Sequence, residues 1–417
     1  MFFYIKTLGC KVNQYESEEA EKLLLSYGHV LVDDPAEAGL VIVNTCSVTQ
    51  GADKKSRQQI SKVLKLSQKA EIVVTGCILE NDSISQNIIK VQYVPKARLI
   101  DTLSERYCSL SQPDLSYQKA SQIKKIRKMI KIQDGCNYFC NYCIIPYLRR
   151  NQHSIDHQKI LAEIREQLEQ GIKEFVLTGI NVGTYSYEEQ GLVALLNAIT
   201  SLDGDFRVRL SSIEPNLLTE SILSVYKSNE KLDRHFHVPL QAVTDKMLRK
   251  MNRKYNMEEY RSLVRKILNA GFSLTTDIII GLPGETETDF LQTISLIKEG
   301  IFMDAHFFSY SPRQGTPAAG FPEQVPEQVK KERMNLALLE MREQKRQYLK
   351  KLEGNKCTVL VEKRNQGHYD GYSEYYFKVK IVENNHKQFG KFVPVILRGN
   401  ECLDKEEVAI GEIVALN

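Results

Sequence analysis

Asp134-Gly135-Cys136-Asn137-Tyr138-Phe139-Cys140-Asn141-Tyr142-Cys143 spaces three cysteines as C-x3-C-x2-C. Three thiolates can hold three corners of a four-iron cluster and leave the fourth iron open to a small molecule. The next residues are Ile144, Ile145 and Pro146, and no cysteine follows until Cys357, so a ferredoxin-like fourth ligand is missing. An open corner suits a cluster that does chemistry rather than one that only carries electrons. Cys140 and Cys143 alone would also fit a redox C-x-x-C or half of a zinc site. A structural zinc wants four protein ligands, and no second C-x-x-C or C-x-H pair closes the tetrahedron. A redox pair has no use for Cys136.

The loop follows a predicted strand at residues 129–133. Five more strand patterns succeed it at 174–178, 207–211, 235–239, 274–280 and 305–310, with helical patterns between them, as at 156–169, 192–200 and 258–269. Such alternation predicts parallel strands with right-handed crossovers, here an α/β partial (β/α)6 barrel. Barrels of this type carry their sites at the carboxyl ends of the strands, where Cys136, Cys140 and Cys143 fall. Other strand ends on that face suit a polar ligand. Gly179 and Gly183, on either side of Asn181, let backbone approach a substrate closely. Ser211 and Glu214 offer a hydroxyl and a carboxylate for a ribose or an amine. The turn Gly281-Leu282-Pro283-Gly284 ends an apolar strand. Taken singly each is ordinary turn chemistry; their meaning comes from sharing a face with the cysteine loop.

Upstream, strand patterns at 2–7, 40–44 and 71–75 alternate with helices at 16–27 and 53–66, which predicts an N-terminal parallel α/β sandwich. Cys10, Cys46 and Cys77 each follow one of these strands. In an open parallel sheet the carboxyl ends share one edge, where ligands bind. Three thiols distant in sequence are therefore expected to meet and hold a second cluster. The plainer alternative is three buried cysteines acting as small hydrophobes, as Cys108, Cys357 and Cys402 are expected to do.

A loop signal at Ser111-Gln112-Pro113-Asp114 leads into a basic run, Lys119, Lys124, Lys125, Arg127, Lys128 and Lys131, which suits either a solvated linker or a polyanion contact. After a long charged helix at 328–352, short strands are expected at 357–362, 375–381, 391–397 and 412–416, separated by Gly and Asn. That pattern predicts a small all-β barrel of the kind that holds single-stranded nucleic acid. Tyr369, Tyr372, Tyr375, Tyr376 and Phe377 could stack bases, and Lys378, Lys380, Lys387 and Lys391 could neutralise phosphates. The expected division is 1–112, 125–350 and 351–417. A net charge of +4 permits a nucleic-acid partner without demanding one, and an odd count of nine cysteines argues for a reducing compartment. Met1–Lys6 is an apolar run of strand length rather than a signal peptide, and no stretch approaches the length of a membrane span.

These motifs together resemble one family over the whole chain. Thr7-Leu8-Gly9-Cys10-Lys11-Val12-Asn13 with Glu16-Ser17, Asn44-Thr45-Cys46-Ser47-Val48-Thr49 and Gly76-Cys77 resemble the amino-terminal domain of methylthiotransferases. The Cys136, Cys140, Cys143 spacing is similar to the radical S-adenosylmethionine signature, and the tail resembles the RNA-binding TRAM barrel. The spelling is most similar to the branch acting on N6-threonylcarbamoyladenosine in tRNA. Two positions depart from the family pattern: Gln241-Ala242-Val243 stands where Gln-Ser-Gly is usual, and Arg149-Arg150 where Arg-Gly is usual.

The resemblance implies two 4Fe-4S clusters, one on Cys136, Cys140 and Cys143 that chelates S-adenosylmethionine, and an auxiliary one on Cys10, Cys46 and Cys77 that carries the sulfur. S-adenosylmethionine contacts are expected at Gly179, Asn181, Ser211, Glu214 and Gln241, with no separate catalytic acid or base. A methylthio group would be inserted at C2 of the adenosine beside the anticodon, with the tRNA anticodon stem-loop as partner. A flavodoxin or ferredoxin type of electron donor and a cytoplasmic location are implied as well. The rivals are methylthiolation of isopentenyladenosine or of a ribosomal-protein aspartate, and an RNA-binding iron–sulfur sensor without turnover.

Overall fold

The computed structural model describes residues 1–77, 91–108, 126–365, 367–382, 388–403 and 406–414. Among these, the first sheet is parallel throughout, in the order Val30–Leu31, Phe2–Thr7, Leu40–Thr45, Glu71–Gly76, Val91–Tyr93. Leu40–Thr45 is buried at every position because helices cover both faces. Leu40 and Ile42 pack with Leu24, Leu99 and Leu103, while Val41 and Val43 pack with Ile60 and Val63. The three predicted strands are present; the short outer pair at Val30–Leu31 and Val91–Tyr93 is additional.

The six barrel strands form two parallel sheets. Arg127–Lys131, Glu174–Thr178 and Arg207–Leu210 make one, and His235–His237, Ser273–Ile280 and Asp304–Ser309 the other. Bridges at Val208–Leu232 and Ser212–His237 join them. Strand alternation sorts the side chains. Phe236, Val238, Leu274, Ile278 and Ile280 belong to the apolar layer under the helices, so His235, His237, Thr275 and Asp277 face the lumen.

The lower lumen is closed by charge. Glu174, fully buried, lies 2.5 Å from Arg127 and 3.0 Å from Arg209. Burial alone would raise its carboxyl; Arg209, Arg127 and Arg207 bring it down to about 2. Arg209 also reaches Asp233 at 2.8 Å and the Ser373 carbonyl at 2.7 Å.

The last strands close into a barrel ordered Lys356–Asn365, His368–Ser373, Lys378–Val382, Glu406–Ile413, Phe392–Leu403. Three expectations need correcting here. His368–Ser373 is an extra strand, and the final strand lies at Glu406–Ile413 rather than 412–416. Tyr369 and Phe377 are core, while Tyr372 and Tyr376 turn inward: Tyr376 stacks on His235 at 4.8 Å with Arg209 4.7 Å from its ring, and Arg127 lies over Tyr372. Those rings join the two barrels. Cys402 is exposed, with Arg342 donating to its sulfur, unlike buried Cys108 and Cys357.

Of the basic run, Lys119, Lys124 and Lys125 lie outside the described residues, as does Lys387. The remainder is paired: Arg127 to Glu174 and Glu362, Lys128 to Glu18, Lys131 to Asp134. No helix among the described residues is long and apolar enough to cross a membrane.

Candidate active site

Cys10, Cys46 and Cys77 leave three neighbouring strands at the same edge of the first sheet. Cys10 is exposed at the start of the helix Lys11–Ser26, while Cys46 and Cys77 are buried. Glycine permits this crowding. Gly9 has φ +100°, and a Cβ on it would fall 2.9 Å from Cys46 Sγ; Gly76 has φ +116°, and a Cβ there would meet the Thr45 carbonyl at 2.3 Å. Asn13 ties the loops by donating to Leu8 O at 2.7 Å and Thr45 O at 2.8 Å. The Cys77 amide donates to Thr45 O at 3.1 Å.

The second triplet lies in the loop beyond the first barrel strand, held from below by the segment after Lys250. Asn141 donates to Lys250 O at 2.9 Å, and Asn252 to Phe139 O at 2.9 Å. Arg253, buried, donates to Cys140 Sγ at 3.2 Å and Tyr142 Oη at 3.1 Å, and pairs with Glu214. Burial raises the Glu214 carboxyl, and Arg253 opposes that rise. Arg253 was not among the predicted residues. Its only mark in sequence is the polar stretch Met251-Asn252-Arg253-Lys254, which looks like any helix end.

The two triplets meet through Arg149. Its Nη1 lies 2.6 Å from Asp134 Oδ1 and 3.0 Å from Glu16 Oε1, and Nη2 lies 3.4 Å from Asn13. Cys77 is within electrostatic range of the same guanidinium. On the far side the Gln50 amide donates to Ser311 Oγ at 3.1 Å. The carboxyl edge of the first sheet therefore sits over the carboxyl mouth of the barrel. Arg150 is exposed and its side chain donates to the Tyr147 carbonyl, while Ala242 is core.

Among the described residues, neither cysteine triplet gathers its sulfurs within 4.8 Å of one another, as one shared ion would require. A cluster gives each thiolate its own iron and does not need the three sulfurs to converge on one ion. Burial raises the Cys46 and Cys136 thiols and pushes Cys143 up to about 12. Metal coordination deprotonates such thiols outright.

The polar candidates fall on the same mouth. Gly179 packs on Gln133, whose Oε1 accepts from the Asn181 amide at 2.8 Å. The buried Asn181 side chain lies against Cys136 and Tyr138, and among the described residues the Ser211 hydroxyl is buried without a hydrogen-bond partner. Such a hydroxyl is rare in folded proteins and fits a polar cofactor laid against the Cys136 loop. Gln241 has φ +68° and shares the rim, its amide donating to Asp277 O at 2.8 Å.

A partial barrel with three thiols beyond its first strand defines the radical S-adenosylmethionine class, and the chain matches that superfamily over residues 130–297. Residues 2–95 match the uncharacterized protein family UPF0004. The fold is similar to that of the radical S-adenosylmethionine methyltransferase TsrM from Kitasatospora setae, with a TM-score of 0.50 and 14% identity over 76% of each chain. Sequence relatives are nearer. Threonylcarbamoyladenosine tRNA methylthiotransferase MtaB of Chlamydia pneumoniae is 37% identical over 99% of this chain and 98% of its own. The enzyme of the same name from Thermotoga maritima is 35% identical over 92% of each. The tRNA-2-methylthio-N(6)-dimethylallyladenosine synthase of Ehrlichia canis is 33% identical over 93% of this chain and 94% of its own. The chain belongs to the tRNA methylthiotransferase family. Its cofactors are S-adenosylmethionine and two 4Fe-4S clusters.

Proposed function

We propose that this enzyme inserts a methylthio group at C2 of N6-threonylcarbamoyladenosine beside the tRNA anticodon. In this reading Cys136, Cys140 and Cys143 hold the cluster that binds S-adenosylmethionine, and Cys10, Cys46 and Cys77 hold the auxiliary one. The observation that carries it is the Arg149 junction, which keeps the two cysteine edges face to face. When bound, the cluster and S-adenosylmethionine supply a radical able to attack an aromatic C–H bond, as cofactors carry the hard chemistry. The chain's own residues position. Asn181 and Ser211 would take the cofactor's polar groups, Arg253 fixes the Cys140 loop, and Gly179 and Gln241 line the rim.

The polarity of the lumen favours the threonylcarbamoyl substituent over an isopentenyl one. His237, His306 and the half-buried Lys11, which lies within reach of the Arg209 and Asp233 charges, suit an anionic group rather than an apolar tail. We assign domains at 1–112, 125–350 and 351–417, the last an RNA-binding barrel of TRAM type. A flavodoxin or ferredoxin would serve as donor in the cytoplasm.

Nucleoside analysis of tRNA from a deletion strain tests the substrate. Loss of the methylthio group from threonylcarbamoyladenosine is expected. Loss from isopentenyladenosine instead would move the enzyme to the sister branch, and an unchanged profile would refute the assignment.

A further inference from the structure

The lumen holds a group of ligands that the cysteine chemistry does not use. His237 Nε2 lies 3.2 Å from Asp277 Oδ1, and His306 Nδ1 lies 3.4 Å from the same oxygen. The three ligand atoms all fall within 4.8 Å of one another, and the imidazoles stack with centroids 5.7 Å apart. Ligands at metal distances of 2.0–2.2 Å stand roughly 3.0–3.4 Å apart around a tetrahedral or octahedral ion. Neighbouring strands impose the arrangement, for Asp277 is in register with His306, and His237 with Thr275.

The hydrogen bonds behind the group point the same way. Thr275 Oγ1 lies 2.8 Å from His237 Nδ1 and 2.8 Å from His235 Nε2. The hydroxyl has one hydrogen, so it donates to one ring and accepts from the other. When the hydroxyl accepts from His237 Nδ1–H, the His237 Nε2 lone pair faces Asp277 Oδ1, 3.2 Å away, free to share a cation with it. A ligating histidine whose second nitrogen donates to a fixed oxygen is the usual outer support of a metal site.

We infer that His237, Asp277 and His306 bind a divalent first-row cation, zinc or manganese, whose open positions face the lumen and take a carboxylate. Two histidines and one carboxylate leave coordination positions free. The His306 side chain is 60% exposed, so a ligand can reach them. A carboxylate meeting Asp277 alone would be repelled; the ion reverses that sign. The metal site stands by itself, whereas the choice of carboxylate rests on the threonylcarbamoyl reading above.

The test titrates Mn2+ into the anaerobically reconstituted enzyme, following free Mn2+ by electron paramagnetic resonance, with Zn2+ as competitor. One site is expected beyond the cluster iron. Asp277→Asn and His306→Ala should abolish it with iron content unchanged, and Thr275→Val should weaken it about 10–100-fold. The exposure of His306 makes its variant safe for folding should Asp277→Asn fail. No bound Mn2+ or Zn2+, or binding that survives both ligand variants, overturns the site. An anticodon stem-loop carrying threonylcarbamoyladenosine should tighten Mn2+ binding about tenfold, and one with unmodified adenosine should not. Equal effects overturn the carboxylate role. Failure of the wild-type enzyme to modify threonylcarbamoyladenosine would be a separate result, against the substrate assignment.

Discussion

Arg149 Nη1 donates to Glu16 Oε1 at 3.0 Å, linking the loop after Cys143 to the helix that starts after Cys10. Both side chains are nearly withdrawn from water, at 6% and 13% exposure, so the pair resists screening. Removing one partner of a buried pair leaves an uncompensated charge.

Arg149→Met is therefore expected to lower unfolding stability by about 3 kcal/mol, the low end for buried pairs. Lys96 at 2.7 Å still faces Glu16, and Lys131 at 2.8 Å still faces Asp134. Methylthiolated product should also fall relative to 5′-deoxyadenosine, because the two cysteine edges lose their register. Chemical denaturation and product ratios check both. Unchanged coupling would show that the junction only stabilises.

Ser211→Ala removes a buried hydroxyl that has no hydrogen-bond partner among the described residues, and Asn181→Ala removes an amide lying against Cys136 and Tyr138. Stability should stay within about 1 kcal/mol of the parent. The dissociation constant for S-adenosylmethionine should rise about tenfold, equivalent to 1.4 kcal/mol. Equilibrium binding beside thermal melts separates the two effects; a loss of stability with unchanged affinity would make these residues structural.

Arg253→Met should leave iron bound but shift downward the reduction potential of the cluster proposed on Cys136, Cys140 and Cys143, and slow reductive cleavage. Hydrogen bonds to cluster sulfurs set such potentials, and Arg253 donates to Cys140 Sγ at 3.2 Å. Arg253→Lys should rescue poorly, since a lysine cannot hold Cys140, Tyr142 and Glu214 at once. Potentiometric titration with iron analysis measures this directly.

Glu163 gives the fold a pH dependence. Burial, then Glu19, raises its carboxyl from 4.5 to about 7, against Lys128 and the Tyr15 hydroxyl at 3.1 Å. Between those values the folded state holds a proton that the unfolded chain has released. Stability contributed by this group is thus full below about 4.5, falls as pH rises to 7, and levels off above. Glu163→Gln should flatten that decline and leave the variant about 1–2 kcal/mol more stable than the parent at pH 8, after discounting for partial exposure. Denaturation midpoints across pH 5–8 test it.

Much of this was legible from residues alone. The strands Glu174–Thr178 and Ser273–Ile280 and the helix Leu192–Thr200 follow their patterns closely, because apolar periodicity and flanking turns act locally. The small barrel was misjudged where glycine served as structure instead of punctuation. Gly371 lies inside a strand because a Cβ there would fall 2.1 Å from the Leu360 carbonyl, a close approach of backbones that small barrels require. Which aromatic rings of the tail are core was not readable along the chain, since a ring's partner depends on what docks against it.

Spacing along the chain was enough to determine the parallel sheets and the edge on which each thiol emerges, since strand direction and turn position are local properties. Only the tertiary structure decided what crosses between those edges: Arg149 with Glu16, Arg253 with Cys140, and His237 and His306 with Asp277. Those pairs join residues far apart in sequence, and their energies come from shared burial, which no periodicity encodes.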